Sequence, residues 1–183
     1  ALVIGGGGND AVTAGLGGAG ARSRLVIAYN KSDGIDSISQ PGAGSTLAAG
    51  RFAREADDHA LFLSQIASHA IGPALYRNLP YDPEADFRAV TLVVTVPNVW
   101  VANPRRVPGG DLRAFLRDAK AKPGERNFAS AGNGTSTHLS GELINQLAGV
   151  RVQHVPYRGA GPAMTAVIGG GVDSLIDNLP TAL

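Results

Sequence analysis

The sequence predicts an α/β protein in two halves, each built on a mostly parallel sheet covered by helices. Three observations lead there. Short apolar, β-prone runs alternate with helical runs along most of the chain. Glycine-rich turns stand between strand and helix, where α/β proteins place loops that approach ligands closely. After a crossing near residues 97 to 108, the order of strand, turn and helix repeats. A chain of 183 residues suits two small domains, with residues 1–100 expected in the first and 101–183 in the second. A ligand cleft is expected between them, because open α/β sheets bind beyond the carboxyl ends of their strands.

In the first half, Ala1 to Ile4 is β-like and runs through Gly5 to Asp10 into a helix start at Ala11-Val12. Thr13 to Ala21 is nearly all Ala and Gly, and Arg24 to Tyr29 is strand-like. Pro41 to Gly44 is a loop, Ser45 a candidate N-cap, and Thr46 to Ala56 a helix with Leu47, Ala48, Phe52 and Ala53 at helical spacing. Ala60 to Leu63 reads as a buried strand and Ile66 to Tyr76 as a short helix ending before Pro80. Two further strands, Ala89 to Val96 and Val99 to Ala102, are separated by Pro97-Asn98.

In the second half, Asp111 caps a helix that buries Leu112, Phe115, Leu116 and Ala119 and stops at Lys122-Pro123-Gly124. A strand at Phe128 to Ser130 enters a loop with Gly132 and Gly134. The helix that follows, about Ser136 to Leu147, is expected to bury Leu139, Leu143 and Leu147 and to turn at Gly149. Val152 to Val155 is a strand, and Pro162 suits the first position of a helix that runs to Ile168. Val172 to Ile176 is the last strand, with Asp177-Asn178 at its carboxyl end.

Composition narrows the function. A formal net charge of +1 gives no argument for nucleic acid or an anionic membrane surface. With no cysteine, thiolate nucleophiles, disulfides and sulfur-bound metals are excluded. The longest apolar runs fall far short of the roughly 20 residues that span a bilayer. Only four residues precede Gly5, so any export signal is expected to be missing from this chain.

The chemically informative stretch is Asn127 to Glu142. Thr135, Ser136 and Thr137 can each cap the helix, and a first turn leaves unpaired N–H groups carrying partial positive charge. A glycine-lined approach with hydroxyls beside it suits an anion such as a carboxylate. The plainer reading is a helix cap and nothing more.

Other patterns carry less. Gly15 to Gly20 spells the dinucleotide fingerprint, yet only four residues separate it from the apolar run at Leu25, leaving no room for the receiving helix. Asn30 to Asp33 resembles a guanine-reading motif without the phosphate loop it requires. His59, His69, His138 and His154 read as surface or loop histidines. Only His138 and Glu142 share a helix face, too few for a zinc site. No serine lies in a Gly-x-Ser-x-Gly elbow, so no catalytic constellation, metal or cofactor is expected.

Several blocks, in order, resemble the Bug family, the TctC-like extracytoplasmic solute receptors of tripartite tricarboxylate transporters. They are Pro41 to Gly44, Ser68 to Tyr76, Leu79 to Pro83, Val90 to Leu92, Val96 to Asn98, Ala119 to Gly124, Ala129 to Thr135, His154 to Tyr157 and Asp177 to Pro180. The likeness runs from about Ser39 to Leu183 and finds no match between Thr13 and Ser37. It departs at the first loop, where Val3-Ile4-Gly5 stands in place of the family's proline and aromatic residue.

The resemblance implies a periplasmic-binding-protein type II-like fold, incomplete here at its C-terminus. It implies a periplasmic, monomeric receptor, not an enzyme, that closes on a small carboxylate and presents it to membrane permease subunits. By the same carry-over Gly6, Gly7, Gly8, Asn9 and Asp10 line one wall. Ser130, Ala131, Gly132, Thr135 and Ser136 line the other, with Tyr157, Arg158 and Asp177 nearby and Ser68 and His69 at the floor. The alternatives are a nucleotide-dependent enzyme using a glycine loop and a nonfunctional truncated relic.

Overall fold

A computed structural model describes residues 22–25, 45–55, 62–92 and 94–183. The chain separates into two compact units, Ala1–Pro97 and Asn98–Leu183.

In the first unit, strand β1 (Arg22–Leu25) pairs antiparallel with the opening residues of β2 (Val94–Ala102), Leu25 opposite Val94 and Arg22 opposite Pro97. Helix α1 (Thr46–Glu55) forms where expected and buries Ala48 and Ala49, while Leu47 of the expected apolar set is 53% exposed. The expected helix from Ile66 forms in two pieces, a π-helical turn at Ala67–Ile71 and then α2 (Gly72–Leu75) with Pro73 in its first turn. The strand expected at Ala60 to Leu63 is not formed by Phe62 and Leu63. Phe62 instead joins an aromatic cluster, its ring 5.1 Å from Phe52 and 5.7 Å from Phe87, which satisfies its burial without a sheet partner.

Of the strand expected at Ala89 to Val96, Ala89 to Leu92 form none, and Val94 to Val96 are continuous through Pro97 with the strand expected at Val99 to Ala102. Strand β2 runs unbroken from Val94 to Ala102 and changes partner in the middle, with β1 along its first four residues and β5 (Ser174–Asn178) along Asn98 to Ala102. Proline lacks an N–H and normally interrupts a ladder. At the point where one ladder ends and another begins, the missing donor costs little.

In the second unit the sheet order is β2-β5-β3-β4, with β3 at Asn127–Ser130 and β4 at Gln153–Pro156. Strands β5, β3 and β4 are parallel and β2 runs antiparallel to β5. Helix α3 (Leu112–Ala121) starts at Asp111, whose side chain accepts from the Arg113 N–H at 2.9 Å. Its Phe115 and Ala119 meet Phe128, Val152 and Ile176 on one sheet face, where Trp100 lies 5.3 Å from Phe115. On the other face Ala163 and Val167 of α5 (Ala160–Ile168) cover Ala129 and Leu175. Helix α5 begins two residues earlier than expected, which Pro162 permits because first-turn N–H groups have no intrahelical partner.

Helix α4 (Ser136–Ala148) ends, as the sequence leads one to expect, on Gly149 in the left-handed conformation (φ 61°). Its inward face is different from the expected one. Leu139, Leu143 and Leu147 are 41%, 52% and 79% exposed, and the buried positions are Thr137 and Gly141. Gly141 is the cause: a Cβ there would lie 2.1 Å from a ring carbon of Phe128, so the helix lies directly on that ring and its leucines turn outward.

Candidate functional site

Strands β3 and β4 end level with one another, and β5 runs two residues further. Phe128 lies level with Ser174 and with His154, and Ser130 lies level with Pro156. Extending the β3–β4 register by one step sets Ala131 beside Tyr157, and extending the β3–β5 register by two sets it near the level of Asp177. Helices α4 and α5 both start at this carboxyl edge, so their N-terminal turns converge there with the two loops that precede them.

The loop from Ser130 to His138 is held mainly by itself. The Ala131 N–H donates to Thr137 Oγ1 at 3.3 Å, the Gly132 N–H to Ser130 Oγ at 3.1 Å, and the Thr135 N–H to the Gly132 carbonyl at 3.3 Å. The Gly134 N–H reaches His138 Nδ1 at 3.2 Å. Thr135 is the N-cap, accepting from the His138 N–H at 3.2 Å while its hydroxyl donates to the Gly132 carbonyl at 2.7 Å. The amides of Ala131 and Gly132, expected to face a ligand, are therefore spent on loop geometry. That wiring follows from local chemistry, because short hydroxyl side chains beside a helix start compete for the nearest donors. Its result is a fixed presentation of the first turn of α4. Gly132 at φ 128° also approaches the Tyr157 carbonyl so closely that a Cβ would lie 3.1 Å from it.

Under that turn lies a polar and aromatic stack. His154 Nε2 is 2.6 Å from Ser130 Oγ, its ring stacks 4.1 Å from His138 and 5.0 Å from Phe128, and His138 Nε2 stands 3.9 Å from Glu142. Ser130 is fully buried. Burial first, and the neighbouring His138 charge second, push the His154 pKa from its ordinary 6.5 down to about 4. A depressed histidine pKa means that the unfolded chain binds the proton more readily. The stabilising share of neutral His154 is thus whole above pH 6.5 and is lost as pH falls toward about 4. Since the ring is only half-buried, the loss is expected to be about 1 kcal/mol after solvent screening. Urea denaturation between pH 7 and 4 should show it, and His154→Gln should flatten that part of the profile; equal slopes in the two proteins would refute it.

Opposite the α4 turn, Tyr157 and Arg158 lead into α5, whose N-cap Gly159 offers no side-chain cap. The Gly159 N–H ties this loop to the Ala131 carbonyl at 3.2 Å, and the Tyr157 N–H ties it to the Ser130 carbonyl at 3.1 Å. Arg158 is exposed and Tyr157 half-buried. Asp177 and Asn178 are the last residues of β5 rather than residues after it. Asp177 is 1% exposed. Asn98 lies directly across from Asn178, and its amide nitrogen donates to Ser140 Oγ of α4 at 2.9 Å.

Eight of the expected site residues, Ser130, Ala131, Gly132, Thr135, Ser136, Tyr157, Arg158 and Asp177, thus belong to one edge of one sheet. Ser68 and His69 lie in the first unit. Ser68 is fully buried, its hydroxyl 2.9 Å from His69 Nδ1, and Ser64 Oγ meets the same nitrogen at 2.5 Å. Tyr81 donates to the Ser68 carbonyl at 2.6 Å, and Phe87 meets His69 edge-on at 4.5 Å. Burial lowers the His69 pKa, which suits a neutral ring accepting at Nδ1. Ser68 and His69, expected at the floor, thus lie in a hydrogen-bonded, aromatic knot of the first unit. Gly6, Gly7, Gly8, Asn9 and Asp10 lie outside the described residues, as do His59 and the Gly15 to Gly20 pattern.

His138 and His154, read from sequence as surface or loop residues, form the stack beneath the site instead. The usable signal was the equal spacing of Phe128 and His154 from Ser130 and Pro156, which only the parallel register turns into contact. Among the described residues, no group of three or more acidic, histidine or cysteine side chains could hold a metal. Nor is any described helix long and apolar enough to cross a membrane.

Comparison with known proteins agrees with this architecture. Residues 35–183 match the model of the tripartite tricarboxylate transporter family receptor. BugT of Bordetella pertussis is 35% identical over 157 residues, which are 81% of this chain and 48% of that protein. MatC from Rhodopseudomonas palustris, solved with bound malate, is 36% identical with a TM-score of 0.67 over 77% of this chain and 48% of its own. A second R. palustris protein, solved with adipate, is 30% identical with a TM-score of 0.72 over 77% and 47%. The chain spans a little under half the length of these relatives. The α/β fold is that of the family's periplasmic binding proteins, which are receptors and not enzymes. On the strength of the match across residues 35–183, the chain belongs to the tripartite tricarboxylate transporter receptor family.

Proposed function

We propose that the protein is an extracytoplasmic receptor that binds a small carboxylate and delivers it to the membrane permease subunits of a tripartite tricarboxylate-type transporter. The observation that carries this is the convergence, at one sheet edge, of the Thr135-capped first turn of α4, the start of α5 and the exposed guanidinium of Arg158. Helix starts offer directed N–H groups and partial positive charge, and an arginine offers a fork that matches a carboxylate. Relatives solved with malate and with adipate support the ligand class.

The Ser130 to His138 wiring refines how that grip works. Most of the loop's amides fix the backbone, so the contacts to ligand fall to the first turn of α4 and to Tyr157 and Arg158. Recognition then depends on a preset shape rather than on a flexible loop that must be ordered on binding.

Isothermal titration with a panel of mono- and dicarboxylates tests the reading. At least one is expected to bind, and Arg158→Ala should weaken it about tenfold, as for loss of one charge-assisted contact. Because Arg158 is exposed, unfolding free energy should change by less than about 0.5 kcal/mol. No binding anywhere in the panel would defeat the proposal.

A further inference from the structure

We propose that the second unit docks on a bilayer surface rich in anionic headgroups, through a basic face made by the outward side of α3 and the loops at the amino edge of the sheet. The inference goes beyond carboxylate binding and does not depend on it. Docking there leaves the carboxyl edge, where α4 and α5 begin, free for a ligand.

The net charge of +1 hides an uneven distribution. From Asn98 to Leu183 the chain has nine Arg and Lys residues, and only Arg158 belongs to the carboxyl edge. Helix α3 carries Arg113, Arg117 and Lys120, all exposed, at spacings of four and three. Those spacings hold the three within about 60° of one another around the helix axis, turned away from the buried Phe115 and Ala119. The neighbouring loops extend the row. Arg126 Nη1 donates to the Arg106 carbonyl at 3.2 Å and the Gly124 N–H to the Arg151 carbonyl at 2.8 Å, so the turns after β2, before β3 and before β4 meet there.

Some of this charge is used within the fold. Asp173 takes Arg106 at 3.0 Å and Arg126 at 3.5 Å, and Asp118 takes Arg126 at 2.5 Å and Lys122 at 4.0 Å. The rest is not. The side chains of Arg105, Arg113, Arg117, Lys120 and Arg151 are exposed and make no hydrogen bond or ion pair among the described residues. The remaining acids of the face are Asp111, whose carboxylate is engaged by the Arg113 N–H, and Glu125. Like charges gathered in this way repel one another, a cost that an anionic surface removes. The composition of the face selects the kind of surface. No large hydrophobic residue stands exposed between Asn98 and Thr137. Protein partners are gripped chiefly by aromatic and aliphatic anchors in pockets, and single-stranded nucleic acid by stacking aromatics. A row of long, flexible cations with neither reads the density of negative charge, which lipid headgroups supply at about fivefold in affinity per cation.

Co-sedimentation of the full chain with vesicles tests this, phosphatidylcholine alone against phosphatidylcholine with about 40% phosphatidylglycerol. At about 20 mM salt the anionic vesicles are expected to bind the protein about tenfold or more tightly than the neutral ones, and about 300 mM salt should remove the difference by screening. Arg113→Gln, Arg117→Gln and Lys120→Gln together should weaken binding about a hundredfold. Glu125→Gln should strengthen it about fivefold on anionic vesicles alone, a gain that loss of folding would not produce. Should the triple variant fail to fold, Glu125→Gln and the salt dependence decide. Arg158→Gln, at the other edge, should leave vesicle binding within about twofold. Anionic vesicles that bind no better than neutral ones at low salt overturn the proposal. So does a loss on Arg158→Gln as large as that on Arg113→Gln, which would assign the binding to total charge and not to this face. Tighter capture by a short DNA duplex than by anionic vesicles at the same salt would give the face to a different polyanion and overturn the lipid assignment.

Discussion

Replacing Asp173 with alanine is expected to destabilise the second unit by about 2 to 3 kcal/mol, the cost of stranding a buried hydrogen-bond donor and weakening ion pairs whose arginines keep 49% and 28% of their side chains exposed. The carboxylate sits 1% exposed between two arginines. It also accepts from the Asn127 N–H at 3.1 Å, while its own N–H donates to the Asn127 side chain at 2.7 Å and its carbonyl accepts from the Asn103 N–H at 3.0 Å. The residue therefore joins the starts of β3 and β5 to the turn after β2. Alanine leaves the backbone bonds in place but strands the Asn127 donor and the partly buried Arg126, which keeps only Asp118 as a charged partner. Asp173→Asn retains an acceptor for Asn127 and should lose less, about 1 to 2 kcal/mol. Urea denaturation of the two variants measures this. A loss below about 1 kcal/mol for alanine, or an asparagine variant that falls as far as alanine, would show that the charge network does not hold this end of the sheet.

How much of this was visible in the sequence divides by range. Asp111 was identifiable as a cap, Thr135 as one of three candidate caps with Ser136 and Thr137, and Gly149 as a terminator, because capping is decided within a few residues. The strands β3 and β4 were legible for the same reason. What the sequence hides is set by partners far along the chain. Pro97 reads as a break, and only the change from β1 to β5 shows why a strand can run through it. Asp173 and Asp177 look alike on paper, yet one is ringed by arginines from distant loops and the other keeps a bare oxygen. The loop at the carboxyl end of β3 was legible from its glycines and hydroxyls, but which amides it spends on itself depends on side-chain hydroxyls whose orientations no spacing rule gives. Helix α4 is the clearest case. Periodicity states which residues share a face and leaves open which face is inward. Leu139, Leu143 and Leu147 form the more apolar stripe, and a glycine on the opposite side decided the matter.

That glycine supports the second large prediction. Gly141→Ala is expected to destabilise the second unit by about 2 kcal/mol, and Gly141→Val by about 3 kcal/mol, the cost of forcing extra atoms into a filled core. In an ordinary exposed helix the alanine change would instead stabilise by about 1 kcal/mol. Here the added carbon meets Phe128 Cε2 at 2.1 Å and Cζ at 2.2 Å. The ring has little freedom to yield. Phe128 is buried against Val107, Phe115, Val152 and Ile176, and it stacks on His154, which is itself held by Ser130 beneath the start of α4. The helix must then lift from the sheet, moving Thr135 and the first turn with it, so carboxylate affinity should fall along with stability. A double-mutant cycle separates the clash from any general intolerance of the position. Phe128→Ala alone should lose about 3 to 5 kcal/mol, and adding Gly141→Ala in that background should restore about 1 kcal/mol, because the intrinsic helix preference reappears once the ring is gone. The sign of the alanine effect is thus expected to reverse with the identity of residue 128. A destabilising effect of equal size in both backgrounds would mean that the closeness of helix and ring is not what turned the leucines outward.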